Sequence, residues 1–82
     1  MKLADRLAES LRHMRREAGV TQAEMAKRLG LSQSTIARAE KGNQNLTLKM
    51  IDELCAALGC DVTELLEPGR VKLRAVRRRE AR

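Results

Sequence analysis

Eighty-two residues make one small domain, long enough for a modest core and short for most enzymes. No Phe, Tyr or Trp is present, so the core must come from Leu, Ile, Val, Met and Ala, and dimerisation would add needed buried area. The net charge of +6 is unevenly placed: residues 1–69 carry 10 basic and 10 acidic side chains, whereas residues 70–82 carry 7 basic ones against Glu80 alone.

Several classes are excluded at this point. No apolar run approaches the roughly 18 residues of a membrane span. Residues 1–16 carry charges throughout, unlike a signal peptide. A cytoplasmic location is expected, with Cys55 and Cys60 reduced. His13, Cys55 and Cys60 are too few soft ligands for a tetrahedral metal centre, so neither metal nor cofactor is expected. No nucleophile–base pair or phosphate loop is visible, so no residue is assigned a catalytic role.

The first helix is expected from Lys2 or Leu3 to Ala18. Leu3, Leu7, Leu11, Met14 and Ala18 step by four or three and form one apolar stripe. Asp5 and Glu9 suit its positive end, and Arg12, Arg15 and Arg16 its negative end. Gly19 ends it and Val20 packs under the turn. Arg15 lies beside the stripe, within reach of a carboxylate distant in the chain. His13 reads as a surface residue.

Residues 21–42, TQAEMAKRLGLSQSTIARAEKG, organise the rest. Thr21 and Glu24 form a T-x-x-E capping box, so a second helix starts at Gln22. Met25, Ala26 and Leu29 share one face, and Gly30 ends the helix. Ser32 caps a third helix over Gln33–Lys41, with Ile36, Ala39 and Glu40 turned inward. Two helices crossing steeply over a short turn need a small residue at the crossing, a turn glycine and apolar residues at fixed offsets. Counting from Gln22, Ala26 is fifth and Gly30 ninth, while Met25, Leu29, Leu31, Ile36 and Ala39 are fourth, eighth, tenth, fifteenth and eighteenth. An ordinary helical hairpin need not meet all these offsets together. The pattern is that of a helix-turn-helix. Gln33, Ser34, Thr35 and Arg38 lie on the outward face of the third helix, with no acid between Gln33 and Ala39. Gln pairs with adenine, Arg with guanine, and Ser or Thr with several partners. A merely solvated face would more usually mix Glu with Lys.

This stretch resembles the phage repressor and Cro, or Xre-type, helix-turn-helix family. TQAEMA and IARAEKG carry the likeness most specifically, and it extends from about Leu7 to Leu66. The resemblance implies an all-α, five-helix, lambda-repressor-like DNA-binding domain. It implies base reading by Gln33, Ser34, Thr35 and Arg38, a phosphate contact from Gln22, and an ion pair between Arg15 and Glu40. The family usually carries a bulky residue where Ala39 stands, so Met14 or Met50 is expected to fill that space.

Beyond Gly42, Asn43 and Asn45 sit in a polar loop. Their short amides suit phosphate oxygens and also simple turn chemistry. Ser32, Lys41 and Lys49 are further phosphate candidates. Thr47 caps a fourth helix over Leu48–Leu58 with a buried stripe of Leu48, Ile51, Leu54, Cys55 and Leu58. Cys55 reads as a small buried hydrophobe, and Cys60, in the next turn, as exposed. Asp61 and Glu64 start a short fifth helix ending near Leu66. Val62, Leu65 and Leu66 exceed what so short a helix hides, and the resemblance implies that this region forms a dimer contact.

Pro68-Gly69 marks the expected end of the globular part, dividing the chain into residues 1–67 and a basic tail, 68–82. Val71, Leu73 and Ala75 alternate with Lys72 and Arg74, the period of a strand, which would need a mate such as the same strand of a second subunit. Val71 and Leu73 therefore join the expected dimer contacts. A helical tail and a loosely placed arm binding phosphate or an acidic protein remain alternatives. The sequence points to a regulator that binds palindromic double-stranded DNA as a homodimer, most simply a repressor. The alternative is an antitoxin that represses its own operon while a terminal segment holds a toxin protein.

Overall fold

The computed structural model describes residues 2–42 and 47–73. Five helices follow in order: α1 (Leu3–Ala18), α2 (Gln22–Leu29), α3 (Gln33–Lys41), α4 (Leu48–Leu58) and α5 (Val62–Leu65). The domain is an all-α, five-helix bundle of the lambda-repressor type. The α3 helix packs on both α1 and α2, while α4 links α2 to α5. No helix among the described residues is long and apolar enough to cross a membrane.

The helix boundaries follow from their caps. Thr21 and Glu24 form the expected reciprocal box: the Glu24 N–H donates to Thr21 Oγ1 at 3.1 Å, and the Thr21 N–H to Glu24 Oε1 at 2.9 Å. Asp61 and Glu64 repeat the arrangement at α5. Gly30 stands just beyond α2 at φ 71°, where a side chain would be strained, and lets the Leu31 N–H turn back to the Ala26 carbonyl at 2.9 Å.

Leu7, Leu11, Met14, Met25, Ile36, Leu54 and Leu65 are almost wholly buried in one core. Met14, Ala39 and Met50 all belong to that core. Unbranched methionine fills irregular gaps readily.

Several expectations about facing are corrected. Leu3 begins the α1 stripe too early and is 58% exposed. Leu48 is 81% exposed, and Met50 is buried in its place. Thr47 caps α4 as expected, the Met50 N–H donating to its Oγ1 at 3.1 Å, but Met50 stands four residues before fully buried Leu54 and shares its face of the helix. His13 is half-buried rather than on the surface, with Gly69 passing over its ring. Cys55 is only partly buried, and Cys60 is half-buried rather than exposed. Burial first, then Cys55, Glu64 and Asp61, push the Cys60 thiol up to about 11.

The largest correction concerns the expected dimer contacts. Leu65 is fully buried and Leu73 is 5% exposed, both within the chain's own core, and Val71 packs against that core. Val62 alone of that set is exposed, with Leu66 half-buried. Residues 71–73 form no strand, and packing continues past Pro68 to Leu73. Ala75 and the basic residues from Arg74 onward lie outside the described residues, so the strand and helix alternatives for that stretch do too.

Candidate nucleic-acid interface

The α3 helix begins at Ser32, whose Oγ accepts the Thr35 N–H at 3.1 Å. The same hydroxyl lies 3.2 Å from Ser34 Oγ and 2.8 Å from Thr35 Oγ1. The three hydroxyls thus gather at the positive end of α3, a place suited to phosphate or to base acceptors. Replacing Ser32 with Ala should cost about 1 kcal/mol of stability. Urea unfolding would measure it, and no change would mean that the cap is not formed.

Gln33, Ser34 and Arg38 are exposed; Thr35 is half-buried, and its hydroxyl is already engaged with Ser32. These positions leave a face with no acidic side chain along most of a nine-residue helix. Such a helix is about 13 Å long and 10–12 Å across, and the major groove is about 12 Å wide. Lys41 and Lys49 are exposed on either side of the loop after α3. Asn43 and Asn45 lie outside the described residues.

Behind that face, one residue holds the three helices together. Glu40 is 5% exposed, and its carboxylate accepts Arg15 Nε at 2.8 Å and Arg15 Nη2 at 3.0 Å. This planar two-point contact is the strong form of a carboxylate–guanidinium pair. It is also the main cause that holds the Arg15 guanidinium above its ordinary pKa, against the opposing effect of burial. Gln22 Nε2 donates to the same carboxylate at 3.1 Å, so α2 is tied to the end of α3. Half-buried Gln22 therefore serves the scaffold whether or not its second N–H meets a phosphate.

The sequence reading missed Arg12. Its Nη1 donates to the main-chain carbonyl of Glu40, near the end of α3 where helix carbonyls lack partners. Nothing in the sequence marks a carbonyl as an acceptor; the only hint is that Arg12 lies one turn before Arg15 on α1. Gly42 follows with φ 71°, and a Cβ there would stand 3.0 Å from Asp5 Oδ1 and 3.3 Å from Ala8 Cβ. The close passage of α1 needs glycine on both counts.

The Helix-turn-helix domain family matches residues 6–67 of this chain. The chain belongs to that family. An uncharacterised HTH-type transcriptional regulator, y4dJ, of Sinorhizobium fredii (strain NBRC 101917 / NGR234) is 35% identical over 68 residues, covering 83% of this chain and 88% of that one. The crystal structure of the hypothetical transcription factor NHTF from Neisseria superposes with a TM-score of 0.64 at 32% identity, over 84% of this chain and 79% of that one. The antitoxin HipB of Escherichia coli (strain K12) is 33% identical over 57 residues, covering 70% of this chain and 65% of that protein. The helix-turn-helix domain described here is that of a DNA-binding transcriptional regulator, not an enzyme. The second helix of its helix-turn-helix pair, α2 and α3, is α3, which carries Glu40 and is tied through it to Arg15 and Gln22.

Proposed function

We propose that this protein is a sequence-specific repressor of the phage repressor/Cro (Xre) type. It binds a palindromic operator as a homodimer, with α3 in the major groove. The observation that carries this reading is the exposed, acid-free face of Gln33, Ser34 and Arg38 on a helix clamped from behind through Glu40. Two such helices related by a two-fold axis would read half-sites about 34 Å apart. Base choice rests on Gln33, Ser34, Arg38 and, with its hydroxyl shared, Thr35. Gln22, Ser32, Lys41, Asn43, Asn45 and Lys49 would set register on phosphates. Of the side chains expected at a dimer contact, Val62, exposed on α5 beside half-buried Leu66, is the one most available to a second subunit.

Selection from a random DNA pool tests the reading, with a two-fold symmetric site as the expected product. On that site, Gln33→Ala or Arg38→Ala should cost about 1–3 kcal/mol and relax preference at one or two base pairs. A uniform loss on all sequences would remove these residues from base readout. A second reading, an antitoxin that also represses its own operon, is favoured by the likeness to HipB and by the basic residues beyond Leu73. Co-purification of a small protein encoded beside the gene would decide for it.

A further inference from the structure

The last turn of a helix carries carbonyls that no amide of that helix serves. A left-handed glycine after the helix turns the next two amides back onto some of them. After α1 the amides of Gly19 and Val20 serve the carbonyls of Arg16 and Arg15. After α2 those of Gly30 and Leu31 serve Lys27 and Ala26. This turn leaves the carbonyl two residues before the glycine without an amide. In α3, which ends at Gly42, that carbonyl belongs to Glu40, and Arg12 Nη1 donates to it.

Asp5, Ala8, Arg12 and Arg15 step by three, four and three, so they form one row on α1. The row runs against the end of α3. Asp5 and Ala8 lie against Gly42, Arg12 takes the Glu40 carbonyl, and Arg15 takes the Glu40 carboxylate. Arg15 holds a side chain, which can swing. Arg12 holds the helix backbone itself. The two grips also differ in what their loss leaves. Without Arg15 a nearly buried carboxylate is stranded. Without Arg12 a single part-buried carbonyl is freed, and water serves such helix ends widely. Folding therefore leans on Arg15, and the direction of α3 on Arg12.

That direction matters at the far end of the helix. Gln33 stands seven residues before Glu40, about 10 Å along the axis. A tilt of about 10° at Glu40 would carry Gln33 by roughly 2 Å, and a base hydrogen bond does not survive such a shift.

We propose that Arg12 is a positioning residue for base reading. By holding the Glu40 carbonyl it sets the angle between α1 and α3, and so sharpens sequence choice without meeting DNA. This rests on the DNA-binding reading above.

The test uses the full chain with R12M, which keeps the stem and removes the donors, and R12K, which keeps a cationic donor. Fluorescence anisotropy gives the affinity of each for the duplex selected by the wild type and for a mixed-sequence duplex. R12M should lower the ratio of the two affinities about tenfold, the order of one lost base contact, and R12K should recover most of it. An unchanged ratio in R12M overturns the proposal. So does an equal loss on both duplexes with a salt slope shallower by about 0.9, which would make Arg12 a phosphate contact. Amide exchange in the free chain reads the grip without DNA: the last turn of α3 should exchange about fivefold faster in R12M while α4 is unchanged. Equal exchange in the two proteins overturns the proposal, as does an R12M chain that fails to fold, since the contact would then serve folding. A wild-type chain from which selection yields no preferred duplex would instead overturn the DNA-binding reading, and this proposal with it.

Discussion

Arg15→Ala should lower the stability of this domain by about 3–5 kcal/mol, a large part of what a domain this small possesses. The reason is what it leaves behind. The Glu40 side chain is only 3% exposed, and Arg15 supplies two of the three donors to its carboxylate. Without them Gln22, at 3.1 Å, is a single neutral donor for a nearly buried charge. Arg15 itself is 22% exposed, so Glu40→Ala should cost less, because the stranded guanidinium can turn to water. Removing both residues should then cost less than the sum of the single changes. Urea unfolding of the four proteins measures all of this. A loss under 1 kcal/mol for Arg15→Ala would show that the pair is not sequestered. The consequence reaches function, because Glu40 is where α1 and α2 both hold α3. A loosened α3 should lose discrimination between DNA sequences before it loses general affinity.

The helix-turn-helix unit was legible because its constraints are local. Capping boxes, the turn glycine and the offsets of Ala26, Leu29 and Ile36 are each set within a few residues, and the structure places them accordingly. The Arg15–Glu40 contact spans the chain and was legible only through resemblance. What failed was either a matter of phase or of distance in sequence. Leu48 and Met50 both fit an apolar pattern on α4, and only the way that helix packs on the core, with Met50 on the face of Leu54, decides which is buried. Leu65 looks surplus to so short a helix, and Leu73 falls in a strand-like alternation that needs a mate, so both read as contacts with a partner. In the structure Leu65 is taken up by the chain's own core, and Lys72 and Leu73 lie beside α1, a contact between distant parts of the chain that composition does not encode. The proposed base-reading set, Gln33, Ser34, Thr35 and Arg38, rests on residue type and position; what the fold adds is that Gln33, Ser34 and Arg38 are exposed.

Leu65→Ala separates these two accounts of the C-terminal region. Were Leu65 a dimer contact, its truncation would weaken association, and the thermal midpoint would approach that of wild type as protein concentration rises. The structure places it fully buried in the chain's own core, near the join of α5 to α4. The expected loss is about 2–5 kcal/mol, transfer of the removed atoms plus the cavity they leave. That loss should be the same at low and high protein concentration. The upper part of the range is expected, because α5 is a single turn and cannot close over the gap without losing its Asp61–Glu64 cap. Val62→Ala is the matched control: at 43% exposure it should barely alter monomer stability and should act, if anywhere, on self-association. Scanning calorimetry at two concentrations checks both. If Leu65→Ala is rescued by concentration while Val62→Ala is silent, the interface lies where the core has been placed.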